Sequence, residues 1–203
     1  MLKVEDLLMA THRCRFETCS AEGHVTLVEV ADARLQQEHT YCNDHAAHFL
    51  DSYYKSRRSG TGEWGSLHGC KCFGVDLIAF EQPCTKCIVS MREVKGSRAF
   101  DLELGPFELT AIYNIVRRDT TARPLTHEAI ARVITGLGAE LKYIIVDEWD
   151  LSAGALRAKF VIRCRQADVV VDCRTSDALA VALIVRVPFF VAERILDGGT
   201  RPT

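Results

Sequence analysis

Val171-Asp172-Cys173-Arg174-Thr175-Ser176-Asp177-Ala178-Leu179-Ala180-Val181-Ala182-Leu183, followed by Val187-Pro188-Phe189-Phe190-Val191-Ala192-Glu193, decides the fold class. A β-branched run ends at an Arg-x-Ser-Asp turn, where Ser176 or Asp177 is a natural N-cap. Small apolar residues then predict a helix over about 177–186, an apolar strand over 188–191 and a short helix over 192–196. Upstream, strands are predicted over 140–149, 155–164 and 168–173, with 151–154 as a turn. Strands over 73–81, 87–94 and 98–104 come earlier, the last two joined by Lys95-Gly96-Ser97. One helix starts at Pro106 and runs to Arg118; another begins after Thr126 and stops at Gly136 or Gly138. Hairpin strands with helices between the groups predict an α+β fold with a mixed sheet.

The chain has 203 residues, 48% of them hydrophobic and 26% charged, a globular composition. Residues 55–69 hold Gly and Ser without periodicity and read as a linker. The expected division is therefore 1–54, a linker at 55–69, and 70–203, each domain folding by itself. Before the linker, Cys14 to Cys19 forms a knuckle-like loop, 24–30 and 35–41 a hairpin, and Cys42 opens a helix. The first 54 residues carry four Lys/Arg against nine Asp/Glu, a poor surface for phosphate. Apolar stretches are too short for a membrane span, and the start lacks a secretory pattern, so the expectation is a cytoplasmic protein without membrane contact. The apolar strand at 187–191 requires cover from another layer or subunit, which predicts a homo-oligomer.

Seven of the nine cysteines fall before residue 90. In a reducing compartment, close spacings read as metal ligands before disulfides. Cys14-x4-Cys19 and Cys42-x2-His45 supply four N/S donors for a structural Zn²⁺, with His48 and His39 as alternative fourth ligands. Four protein ligands leave no open position for catalysis. Cys70-x-Cys72 and Cys84-x2-Cys87 imitate a second quartet, but an unbroken strand over 73–81 would hold the pairs roughly 30 Å apart.

The quoted stretch resembles the signature of the bifunctional nuclease family, R-P-S-D-A followed by alternating apolar and Ala positions. Leu104-Gly105-Pro106-Phe107-Glu108 and Arg123-Pro124-Leu125-Thr126-His127 are similar to two further family motifs, in the same order. Thr175 stands where the family has Pro, and Arg186-Val187 where a Gly-containing turn is common. The resemblance implies cleavage of RNA or DNA by residues 70–203. The first 54 residues resemble treble-clef or zinc-ribbon units, including those of Clp-protease adaptor proteins, although there the first pair is C-x2-C.

Carboxylates that hold Mg²⁺ or Mn²⁺ are what a metal-dependent nuclease needs. Glu108, Asp172 and Asp177 are the expected catalytic acids, with Arg174 steadying the phosphate; Asp147, His127 and Arg123 are further candidates. Each also has a structural reading: Glu108 at a helix dipole, Asp177 as a cap, His127 as an exposed residue beside a cap. No D-x-D, H-x-H or H-N-H arrangement is present. Two functions stand: a metal-dependent nuclease with a structural zinc module, or a non-catalytic adaptor whose zinc module binds a protein partner.

Overall fold

The computed structural model describes residues 12–15, 19–23, 25–56, 67–81, 87–119, 122–150, 152 and 154–197. The expected linker lies mostly outside them, at 57–66, as does Cys84. The described residues form a mixed sheet with five helices, an α+β protein. Packing groups Met1–Thr61 with Gly74–Asp119, and Gly62–Phe73 with Thr120–Thr203.

In the first unit, the two-residue strands β1 (His12–Arg13) and β2 (Glu22–Gly23) pair antiparallel. Strands β3 (Val25–Ala31) and β4 (Arg34–Tyr41) form a hairpin. Its turn holds Asp32 and Ala33 at φ 51 and 55, left-handed values that match the twist of the flanking strands. Helix α1 (Asn43–Ser56) follows. Strand β5 (Cys70–Glu81), which belongs to this unit from Gly74 onward, is unbroken; β6 (Cys87–Glu93) pairs with it, and β7 (Ala99–Leu104) closes a hairpin on β6. Helix α2 (Pro106–Arg117) starts at its proline.

Strand β3 joins β5 antiparallel, from Val25↔Glu81 to Glu29↔Leu77. The expected self-contained residues 1–54 therefore share a sheet with residues after the linker. The period of two explains this. Leu27 and Leu77 turn to one face and Val28 and Ile78 to the other, and all four are essentially inaccessible. Leu27 and Leu77 pack with Cys14, Tyr41, Cys42 and Ala46, and Phe49 of α1 lies against this cluster. On the opposite face Tyr113 of α2 meets Phe80 edge-on, ring centroids 5.6 Å apart. Each apolar side chain so buried contributes about 1.5–3 kcal/mol, so the sheet needs both layers.

In the second unit, helix α3 (Thr126–Gly136) precedes β8 (Ala139–Asp150), β9 (Ala155–Cys164) and β10 (Ala167–Arg174). Helix α4 (Thr175–Val185), strand β11 (Phe189–Ala192) and helix α5 (Glu193–Asp197) complete it. The strand order is β10-β9-β8-β11 and then the first residues of β5. Strand β11 is buried along its length, parallel to β8 on one side and antiparallel to β5 on the other. The apolar strand expected to need another subunit is thus covered within its own chain.

Helix starts differ from the sequence expectation in two places. The cap of α3 is not Thr126, which is already helical; Glu128 accepts the Leu125 N–H at 3.0 Å instead. Helix α4 begins at Thr175, two residues early, with neither Ser176 nor Asp177 as its cap. Thr175 is buried and its Oγ1 donates to the Leu156 carbonyl at 2.6 Å. At that first helical position Pro would be preorganised; Thr gives up that benefit and gains a bond to β9.

Candidate metal centre and nucleic-acid site

Strand β4 ends at Tyr41, and Cys42 takes the position before α1, its carbonyl accepting from the Ala46 N–H at 2.9 Å. Three residues on, His45 sits on the same side of the first turn. The loop carrying Cys14 is tied down by Cys14 N–H to Ala21 O at 3.3 Å and Arg15 N–H to Thr40 O at 2.9 Å. These ties bring Cys14, Cys19, Cys42 and His45 together, their donor atoms all within 4.8 Å of one another. His45 Nδ1 lies 3.4 Å from Cys14 Sγ and 3.2 Å from Cys42 Sγ, and Cys19 Sγ lies 3.9 Å from Cys42 Sγ.

A zinc tetrahedron with standard bond lengths has edges of about 3.8 Å between sulfurs and about 3.6 Å between sulfur and nitrogen. The separations of 3.2 to 3.9 Å lie near those edges, so the cluster could hold a zinc ion. Cys14 and Cys42 are buried over the Leu27–Leu77 core, and the rings of Tyr41 and Phe49 stack 5.4 Å apart beside them. The rival histidines lie elsewhere: His39 bonds Arg15 at 2.6 Å and Gln37 at 3.1 Å, and His48 is exposed. Among the described residues no other His/Cys/Asp/Glu group qualifies as a metal site.

Glu108 occupies the first turn of α2, and its carboxylate folds back over the start of its own helix. A Cβ built at Gly105 would lie 2.6 Å from Glu108 Oε2, so a side chain there would only displace the end of this carboxylate.

Asp177 behaves otherwise. It makes no cap bond; its Oδ1 faces His127 Nε2 at 3.1 Å, joining the first turns of α3 and α4 across 50 positions. The carboxylate can only accept, so Nε2 carries the proton and a neutral His127 keeps its lone pair on Nδ1. The His127 side chain is 15% exposed, not the open surface residue its place after Thr126 implied. Arg174, three-quarters exposed, lies 4.0 Å from Asp177 Oδ2. Asp172 faces Arg157 at 3.3 Å, and Asp147 faces Lys159 at 2.8 Å. Both Arg194 nitrogens that reach Asp147 donate to its carbonyl, so Asp147 is a tie between β8 and α5. Burial, with Asp172 and Asp177 nearby, pushes the Cys173 thiol up to about 12, so it stays protonated beside this site.

Residues 89–202 match the bifunctional nuclease domain. The chain belongs to the bifunctional nuclease family. That match runs from β6 past α5 and contains His127, Asp172, Arg174 and Asp177, while the Cys/His cluster precedes it. Two uncharacterized proteins of Mycobacterium tuberculosis, from strains CDC 1551 / Oshkosh and H37Rv, are each 34% identical to this bifunctional nuclease domain protein over 119 residues. That alignment covers 59% of this chain and 70% of each relative. Among the described residues no helix is long and apolar enough to cross a membrane.

Single-position reasoning missed the His127–Asp177 pair. The available signal was that both residues fall inside family-like motifs at the starts of two helices.

Proposed function

We propose that the protein hydrolyses phosphodiester bonds of RNA or DNA, with His127 as general base, Asp177 orienting it and Arg174 neutralising the phosphate. The observation that carries this reading is the 3.1 Å contact between His127 Nε2 and Asp177 Oδ1, which unites two separate motifs of the family. His127 Nδ1 takes a proton from water as the water oxygen bonds phosphorus. The P–O bond to the leaving oxygen breaks, that oxygen takes a proton from solvent water, and the His127 imidazolium returns its own proton to solvent, which restores the neutral base. Arg174 offers guanidinium donors to the phosphoryl oxygens, where negative charge develops.

Zinc at Cys14, Cys19, Cys42 and His45 is structural in this proposal: all four positions are protein ligands, so it crosslinks β4, α1 and the preceding loop. The sequence expectation also places Mg²⁺ or Mn²⁺ on Glu108, Asp172 and Asp177, where a divalent ion would supply Lewis acidity. Asp172 and Asp177 already face Arg157 and His127, so in this proposal His127 carries the proton transfer.

The test is cleavage of labelled RNA and DNA by the full-length, zinc-loaded protein, with and without added Mg²⁺ or Mn²⁺. Cleavage that His127→Ala abolishes supports the proposal. A strict divalent requirement unaffected by His127→Ala would assign the chemistry to the carboxylates. Absence of cleavage under all conditions would favour the adaptor function, with the Cys/His segment as its protein-binding part.

A further inference from the structure

Strand β10 has an unusual exposure. Every residue except Cys173 is exposed, including three consecutive valines, Val169 at 45%, Val170 at 59% and Val171 at 42%. Among the described strands it pairs with β9 alone, in unbroken register from Ala167↔Cys164 to Arg174↔Arg157. A two-residue turn, Arg165 and Gln166, joins the two strands, so the closing pair Cys164 and Ala167 exchanges backbone bonds. Counting in twos, Ala167, Val169, Val171 and Cys173 direct their amides and carbonyls to β9. Asp168, Val170, Asp172 and Arg174 direct theirs to the outer edge. This strand has no proline and no bulge, two devices that commonly protect an apolar edge.

We infer that this edge pairs antiparallel with β10 of a second copy, about a twofold axis at Val171. Opposed residues in a sheet must point to the same face, so the axis has to pass a residue facing its own copy. Charge decides which one. An axis at Val170 would set Asp168 against Asp172, and an axis at Asp172 would set that carboxylate against itself. An axis at Val171 sets Asp168 of each chain against Arg174 of the other, twice, and brings Val171 against Val171. Only the last register matches opposite charges while pairing valine with valine at its centre. Asp168 already faces Arg163 and Lys142, and Arg174 is three-quarters exposed, so the added pair completes a row of alternating charge. Arg174 belongs to both proposals, so the test is placed at Val171, which is no part of the nuclease site, and its failure is distinguishable from failure of that proposal.

The experiment is light scattering on the full-length protein at micromolar concentration. Wild type is expected at twice the 22.7 kDa chain mass. Val171→Asp and Val171→Lys, each of which sets like charges across the axis, are expected to halve that mass. An equimolar mixture of the two should restore it. As a second readout that tolerates an unaltered fold, Val171→Cys in a Cys164→Ser background should give a covalent dimer under a mild thiol oxidant, because opposed cysteines in a non-hydrogen-bonded pair lie within disulfide reach. A monomeric wild type, single variants that keep the wild-type mass, or a mixture that stays monomeric would each overturn the inference.

Discussion

Tyr113 on α2 donates its phenolic hydrogen to Glu38 on β4 at 2.5 Å, tying a helix to a hairpin 75 residues earlier in the chain. Arg117 reaches the same carboxylate at 3.0 Å and also donates to the Tyr113 oxygen at 3.0 Å. Burial, then Glu38, raises the phenol above its usual range, so it stays a donor throughout the neutral range. Tyr113→Phe should lower unfolding stability by about 1.5–3 kcal/mol, the usual worth of a hydrogen bond to a charged group. Denaturant titration measures it, and an unchanged midpoint would deny the tie its role. The same geometry predicts that residues 70–203 expressed alone lose the β3 pairing and Glu38, and become aggregation-prone.

Metal analysis of the full chain should give one zinc per molecule. Cys19→Ser is expected to lose the zinc and to loosen the packing around Leu27 and Leu77, because these lie beneath the cluster. Near-UV circular dichroism and hydrogen exchange along β3 would report that loosening.

The two C-terminal cysteines should differ in reactivity. Cys164 is exposed, whereas burial pushes Cys173 up to about 12. At pH 8 iodoacetamide should modify Cys164 and leave Cys173 intact, read by peptide mass mapping. The linkage sign also follows. A thiol with a raised folded pKa contributes fully below its unfolded value near 9, and that contribution is lost as pH rises toward about 12. Stability of the wild type should thus fall faster than that of Cys173→Ala as pH is raised above 9.

Arg186 ends α4 at φ 61 and ψ 51, a left-handed conformation that costs a side-chain-bearing residue about 1 kcal/mol. Arg186→Gly should raise stability by roughly that amount, measured by thermal or denaturant unfolding.

Much of the secondary structure was legible because its punctuation is local. Pro106 starts α2, Lys95 to Ser97 turns the β6–β7 hairpin, and Asp32 with Ala33 turns β3 into β4. Partners were not legible, since a strand's own residues do not say what it pairs with. Phe189 to Ala192 is apolar whether it meets a second subunit or, as here, lies between β8 and β5. The start of α4 moved for a similar reason, as Thr175 is held by a carbonyl 19 residues away. Ligand spacing singled out Cys14, Cys19, Cys42 and His45 because donor pairs on short loops are a local pattern. Its counterpart failed for His127, whose partner Asp177 sits on another helix.

The most direct measurement is a double-mutant cycle on phosphodiester cleavage with His127→Ala, Asp177→Asn and both together. Acting as one unit, the pair should lose about 100-fold or more in rate with His127→Ala, and the double variant should lose little beyond that. Circular dichroism should confirm that each variant stays folded. A folded His127→Ala variant that cleaves at the wild-type rate would contradict the assignment of His127 and Asp177 to the chemistry.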